Sequence, residues 1–217
     1  MKYLIFSDSH LHSFDEKKYL LLKEAIEQSD RVIINGDFWD GYLTSFETFI
    51  NSQWQLLFPF LKSRQTVYIY GNHDKKRQSD ERVQLFSTEQ TQRYKLPVNS
   101  HTLVLEHGDR LAPMWDVTYL TGTGPYWQTR LTEKLQHAAV GLLRDRVLHA
   151  ASGPLNRKIK KKLKEELAKD EIYVCGHTHL AEFSLHEQFI NTGFIKYGFA
   201  QYLMIDGKSL IPINARY

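Results

Sequence analysis

Five times along this chain a short apolar run stops at a cluster of Asp, His, Asn and Gly. Lys2 to Phe6 leads into Asp8-Ser9-His10, Arg31 to Asn35 into Gly36-Asp37-Phe38-Trp39-Asp40, and Thr66 to Tyr70 into Gly71-Asn72-His73-Asp74. His101 to Glu106 leads into His107-Gly108-Asp109, and Glu171 to Val174 into Cys175-Gly176-His177-Thr178-His179. Apolar runs of this length, bounded by such breaks, read as buried strands. Ligands of open α/β sheets gather outside the carboxyl ends of the strands. Any one of these clusters is compatible with an ordinary turn or a helix cap. Their repetition is what directs the chain towards one polar site on one sheet edge.

The intervening segments fit that plan. Ser13 with Glu16 reads as a capping box and opens a helix carrying Tyr19, Leu20, Leu22 and Ile26, ending near Ser29. Thr44 with Glu47 repeats the signal before a helical stripe of Phe46, Phe49, Ile50, Trp54, Leu57 and Leu61, whose aromatics read as core. Strand, helix, strand implies a parallel pair, which sets Asp37 beside Asp8. Residues i and i+2 of an extended segment point the same way, so Asp8 and His10 are expected to reach one ion together. Ser79 to Ser87 reads as a short helix and His101 as a surface residue. After His179, short strands at Glu182–Leu185, Gln188–Asn191, Gln201–Ile205 and Ser209–Ile213 read as an antiparallel meander completing a second sheet.

Length and composition allow one domain over 1–217 with a sizeable core, since 42% of the 217 residues are hydrophobic. The apolar start, Tyr3-Leu4-Ile5-Phe6, is too short for a signal-peptide core. Nothing approaches the ~20 apolar residues of a membrane span. The single cysteine, Cys175, suits a reducing compartment, and a cytoplasmic location is expected. The pattern changes over about 111–170, the candidate helical cap insertion. There Leu131, Leu135, Ala138, Ala139, Leu142, Leu143 and Val147 keep helical spacing, and Gly122-Thr123-Gly124-Pro125 reads as a turn. Gly153-Pro154 is expected to break that helix, after which Leu155, Ile159, Leu163 and Leu167 line one face of a second. Nine Lys or Arg against four Asp or Glu give Arg144 to Asp170 a local net charge of +5. The basic helix 155–168 is either a solvated face docked on the core or a cationic cover for a membrane surface or a polyanionic substrate.

Carboxylate, amide and imidazole donors without thiolate favour Mn²⁺, Fe or Zn²⁺. Two ions roughly 3.5–4 Å apart orient and activate water for attack on phosphorus. The ordered series D-x-H, G-D-x-x-D, G-N-H-D, a lone His and G-H-x-H resembles the calcineurin-like metallophosphoesterase family, over residues 8 to 179. The resemblance implies an α/β fold: a four-layer α/β/β/α sandwich of two mixed sheets, with two divalent metals, Mn²⁺ first. Asp8, His10, Asp37 and His179 would hold one metal, and Asp37, Asn72, His107 and His177 the other. His73, oriented by Asp40, would protonate the leaving oxygen rather than bind metal. The chain is thus expected to be a hydrolase of phosphodiester or pyrophosphate bonds.

Within the family, the aromatic G-D-F-W-D, the helical segment after His107-Gly108-Asp109 and Asn191-Thr192-Gly193 look like the UDP-2,3-diacylglucosamine pyrophosphohydrolase branch of lipid A synthesis. His73 stands where that branch carries Arg. That reading implies a nucleotide- or lipid-linked substrate and peripheral contact with the inner face of a membrane. A nuclease or cyclic-nucleotide phosphodiesterase is the second enzymatic reading. A stable nucleic-acid complex is not expected, because the basic stretch lacks interleaved aromatics. A non-catalytic protein-binding scaffold of the same fold is the reading from another class. Arg110, Lys75 and Tyr126 are candidate substrate contacts through their proximity to the motifs.

Overall fold

The structure, a computed structural model, describes residues 1–113 and 149–217. Tyr126, the Gly122–Pro125 turn and the helical spacing from Leu131 to Val147 lie outside the described residues. Two mixed sheets face each other. In the first, β1 (Lys2–Phe6), β2 (Arg31–Asn35), β3 (Val67–Ile69) and β4 (Glu89–Thr91) run parallel in that order. The second has the order β5-β6-β7-β9-β8, built from β5 (Tyr94–Val98), β6 (His101–Leu105), β7 (Glu171–Cys175), β8 (Glu182–Ser184) and β9 (Phe189–Asn191).

Alternation along the strands divides their side chains between layers. Ile5, Ile33, Val67 and Ile69 of the first sheet meet Leu103, Leu105, Ile172 and Val174 of the second in one apolar layer. Leu4, Phe6, Val32 and Ile34, one residue out of phase, face the helices instead. On the far side Val104, Tyr173 and Cys175 pack with Ile159 and Leu163 of α4, which is helical over 149–163. The layers are therefore helix, sheet, sheet, helix, and every inner strand is apolar on both faces, as a covered parallel sheet requires.

Local chemistry moves several boundaries. α1 (Glu16–Glu27) is capped by Asp15, not Ser13. The Asp15 side chain accepts from the Lys18 N–H at 3.2 Å, while the Ser13 hydroxyl lies 3.1 Å from His12 Nδ1. Its buried face is Lys18, Leu22, Ala25 and Ile26, and Leu20 is exposed. The stripe from Phe46 to Leu61 is core as expected, but it is not one helix. It divides into α2 (Phe46–Ile50), capped by Ser45 instead of Thr44, a 3-10 turn (Gln53–Leu57) capped by Ser52, and α3 (Phe58–Ser63). Pro59 falls in the first turn of α3, where its missing N–H does no harm, and so favours a restart there. Glu81–Leu85 is a 3-10 turn inside the expected short helix, and His101 is exposed.

The last strands depart most from the sequence reading. β8 and β9 complete the second sheet, with β9 parallel to β7. The hairpin of β11 (Phe199–Asp206) and β12 (Ser209–Arg216) joins the first sheet, where β11 runs antiparallel to β1 with Ile5 opposite Leu203. The short β10 (Ile195–Lys196) also pairs with β11. Leu203 and Ile205 enter the layer between the sheets, and alternation alone suits either side of that layer. Gly153-Pro154 does not break α4, which continues through both residues. An interior proline costs about 3 kcal/mol, and the burial of Ile159, Leu163 and Asn156 against the second sheet outweighs it.

Phe49 lies at the centre of the aromatic layer, with ring centroids 5.6 Å from Phe38, 5.8 Å from Trp39 and 5.7 Å from Phe58. Phe49→Ala is expected to cost about 3–5 kcal/mol in urea denaturation, as a fully buried aromatic does when truncated.

Candidate metal centre

Parallel register sets β1, β2 and β3 side by side, with Phe6 opposite Ile34 and Asn35 opposite Ile69, so their carboxyl-end loops leave the sheet together. In the second sheet Leu105 lies opposite Val174, which brings the loops bearing His107 and His177 together too. Asn35 joins the two sets: its amide donates to the carbonyls of Glu106 at 3.3 Å and Val174 at 3.0 Å, across the gap between the sheets. The backbone carbonyl of Asn35 lies 3.0 Å from His107 Nδ1, which fixes that ring with Nε2 facing inward.

Beyond the strand ends, the loops pair further. Asp8 N donates to Gly36 O at 3.1 Å, His10 N to Asp37 O at 2.9 Å, and Leu11 N to Phe38 O at 2.9 Å. Asp8 and His10 are not in an extended segment. They have φ of 53° and 44°, and Asp37, His177 and His179 share this left-handed conformation at 53°, 65° and 60°. Asp and His tolerate that region better than most residues, and strain of this kind persists only where the surroundings impose it.

The side chains converge on two points. Asp8 Oδ1 lies 3.2 Å from His179 Nε2 and 3.8 Å from His10 Nε2, and the two imidazole nitrogens are 3.1 Å apart. Asn72 Oδ1 lies 2.8 Å from His177 Nδ1 and 3.1 Å from His107 Nε2, which is 3.3 Å from Asp37 Oδ2. Asp37 Oδ2 is also 3.8 Å from His10 Nε2, so one oxygen belongs to both groups. Asp8 is fully buried, and among the described residues its Oδ1 has no hydrogen-bond partner, its near neighbours being the imidazole nitrogens of His179 and His10. A buried carboxylate oxygen among imidazole nitrogens fits a divalent cation, and so does a set of carboxylate, amide and imidazole atoms without thiolate.

His73 stands beside these groups. Its Nδ1 is 3.0 Å from Asp40 Oδ1, its N–H donates to Asp37 Oδ1 at 2.8 Å, and its ring packs on Tyr42 and His10, both at 4.4 Å. Burial would lower the His73 pKa, but the charges of Asp40 and Asp37 outweigh it and raise it to about 9. For His10, burial and the neighbouring His73 lower the pKa to about 4. Two touching rings thus divide into an imidazolium and a neutral imidazole. Burial works against ionised Asp37, yet the charges of His107 and His73 hold its carboxyl well below the usual carboxylate range.

The sequence as a whole matches the calcineurin-like phosphoesterase superfamily domain over residues 1–202. The chain belongs to that superfamily. Vps29 of Entamoeba histolytica in complex with Zn²⁺ is 13% identical, with a TM-score of 0.50, 100% of this chain and 99% of that chain being covered. The phosphoesterase YfcE of E. coli is 16% identical with a TM-score of 0.48 over the same shares. A predicted phosphoesterase of Streptococcus pneumoniae is 15% identical, with a TM-score of 0.45, over 99% of this chain and 88% of that chain. At these identities the likeness shows the fold alone, and none of the three points to the UDP-2,3-diacylglucosamine branch. No curated protein matches the chain. Superfamily membership, together with clustered Asp and His side chains able to hold metal, equips this chain for metal-dependent phosphoester hydrolysis.

The seven expected ligands, with His73 and Asp40, all come together at this one edge. Two of the expected substrate contacts have interactions of their own. Arg110 is engaged elsewhere, 2.7 Å from Glu106 and 2.8 Å from Glu166. Lys75 donates its backbone N–H to Gln78. Asp74, the last residue of the Gly71-Asn72-His73-Asp74 motif, has a structural role. Its buried carboxylate accepts from the N–H groups of Gly71 at 2.6 Å, Phe38 at 2.7 Å and Asp37 at 3.1 Å, locking two of the loops together. Burial and the charge of Asp37 push its pKa up to about 7. Tyr42 and Asn35 carry no role in the sequence motifs; a lone Asn closing a Val-Ile-Ile strand is the sequence signal for the second.

Two motif glycines are dictated by close approach. A Cβ on Gly71 would fall 2.2 Å from Asp37 Oδ1, and one on Gly176 would fall 2.1 Å from both Asp8 Oδ2 and Ser7 Oγ. Gly176→Ala is expected to lower stability by about 1–3 kcal/mol through overpacking. Thermal denaturation without added metal checks it, because the clash is with buried oxygens and does not require an ion.

Proposed function

We propose that the protein is a dinuclear metal-dependent phosphoesterase hydrolysing a phosphodiester or pyrophosphate bond. The observation that carries this reading is the sharing of Asp37 Oδ2 between two convergent donor groups, beside an unpartnered buried oxygen of Asp8. Asp8, His10, Asp37 and His179 would hold one ion, and Asp37, Asn72, His107 and His177 the other. Mn²⁺ is the first candidate, with Fe or Zn²⁺ next; the similar Vps29 structure is described with Zn²⁺. When bound, such a pair supplies an activated water and stabilises charge on the phosphoryl oxygens.

The chain's own residues do the rest. Asp40 accepts at His73 Nδ1, so the transferable proton sits on Nε2, 4.0 Å from Asp37 Oδ2 and on the metal side of the ring. His73 then donates that proton to the leaving oxygen as the ester bond breaks. Tyr42 and His10 hold the ring in place from either side. Asp74 and Asn35 keep the loops in register without touching substrate.

For the substrate we favour a nucleotide- or lipid-linked phosphoester, approached from the side of α4. Lys160 pairs with Glu182 and Glu187, and Lys162 donates to the Leu111 carbonyl, so these two belong to the helix's internal contacts. Arg157, Lys158, Lys161 and Lys164 are exposed and form the cationic face. Each Lys or Arg near an anionic membrane contributes about 1 kcal/mol. No helix among the described residues is long and apolar enough to cross a membrane.

Hydrolysis of bis-p-nitrophenyl phosphate by Mn²⁺-loaded protein tests the central reading. Asp37→Asn is expected to abolish turnover, because it weakens both ion sites at once. His73→Ala is expected to retain both ions in metal analysis and to slow turnover by about 10²–10⁴-fold, the usual contribution of a general acid. Inactive wild-type protein that binds no metal would overturn the reading in favour of a scaffold. Replacing Lys158, Lys161 and Lys164 together by Ala is expected to reduce hydrolysis of a phosphoester embedded in anionic vesicles and to spare the soluble diester. Equal loss on both would rule out a membrane-facing role for that surface.

A further inference from the structure

The loop bearing His177 and His179 is held by a polar network whose centre, Asn156, belongs to α4 rather than to either sheet. Asn156 is 1% exposed. Its amide donates to the Leu180 carbonyl at 3.1 Å and to Glu182 Oε2 at 3.0 Å. Its carbonyl oxygen accepts from Thr178 Oγ1 at 2.7 Å and from Asn191 Nδ2 at 3.2 Å. An Asn side chain offers two donors and two lone pairs, and all four are used here. Thr178 is the residue between the two histidines, and Asn191 also donates to the Gly176 carbonyl at 2.8 Å and to Thr178 Oγ1 at 2.9 Å. The network therefore grips the loop at Gly176, Thr178 and Leu180, on both sides of each imidazole.

That grip has a task the local sequence cannot perform. His177 and His179 both sit in the left-handed region, at φ of 65° and 60°, and such a backbone persists only when its surroundings over-determine it. Here the over-determination arrives from a helix otherwise seated on the second sheet by Ile159 and Leu163.

We infer that Asn156 is a positioning residue of the metal centre, through which α4 sets the geometry of His177 and His179 and hence the affinity for divalent ions. This rests on the proposed metal-dependent function. Removing groups that orient metal ligands typically costs 10–100-fold in affinity. The same helix carries the exposed Arg157, Lys158, Lys161 and Lys164.

Calorimetric titration of metal-free protein with Mn²⁺ tests the inference, with thermal denaturation alongside. Asn156→Ala and Thr178→Val are each expected to weaken Mn²⁺ binding by about tenfold or more. Their double variant is expected to lose little beyond either one alone, because both break the same link. Ile159→Ala removes buried apolar contact from the same helix without touching the network. It is expected to lower the melting temperature at least as much as Asn156→Ala while keeping wild-type affinity. Wild-type affinity in Asn156→Ala, or equal weakening in Ile159→Ala, overturns the inference. Should Asn156→Ala not fold, Thr178→Val decides alone, with unchanged affinity counting against it. Wild-type protein that binds no Mn²⁺ overturns the proposed function itself, and is told apart by the failure of the unsubstituted chain.

Discussion

Four carboxylates, those of Asp8, Asp37, Asp40 and Asp74, are buried at one end of the seam between the two sheets. An isolated buried carboxylate is too costly to remain ionised, so each must be answered by donors or by positive charge, and the rest of the centre follows from how that is done. Asp74 is answered by three backbone N–H groups and thereby fixes two loops. Asp40 is answered by His73, which becomes the protonated ring. Asp37 and Asp8 are answered only in part: the charge of His107 counters the burial of Asp37, while one Asp8 oxygen is left without a hydrogen bond. The seam draws positive charge to the point where the remaining nitrogen and oxygen donors meet.

Sheet register converts this local demand into a shape. Parallel pairing delivers three loops from the first sheet and two from the second to a common edge, and Asn35 ties the two sets together through the carbonyls of Glu106 and Val174. A one-residue slip would turn Leu4 and Ile5 to the wrong layers. The apolar layers on both faces of β1, β2 and β3 thus guard the register on which the metal-ligand geometry depends.

Much of this was legible in the sequence, for identifiable reasons. A strand of period two that ends in Asp-x-His or Gly-His-x-His carries its own position in the fold, so nine side chains from five motifs were expected at one edge of one sheet; they do converge, but His107, His177 and His179 arrive from the second sheet. What failed was whatever depended on a choice between equivalent partners. Leu203 and Ile205 alternate as well for one sheet as for the other, and only pairing with β1 decides. Asp15 and Ser13 are both competent caps, as are Ser45 and Thr44, and shifts of one or two residues in backbone entry select between them. The extended geometry expected for Asp8 and His10 failed because loop-to-loop hydrogen bonds with Gly36 and Asp37 impose the left-handed conformation there.

The distribution of cost across the molecule supports a working centre over a surface scaffold. Among the described residues, five of the nine non-glycine residues with positive φ are Asp8, His10, Asp37, His177 and His179, and each such residue costs on the order of 1–3 kcal/mol. A buried polar atom left unpaired adds about 1–3 kcal/mol, and among the described residues Asp8 Oδ1 is one of these. The seam has apolar neighbours on every layer, and hydrophobic side chains of similar size would remove both penalties at once. A partner-binding surface elsewhere on the fold would gain stability from that replacement and lose nothing. Strain gathered on these five side chains, with an unpaired carboxylate oxygen on one of them, is instead what a site needs when a cation completes it, because binding energy from the ion then offsets what the chain alone lacks.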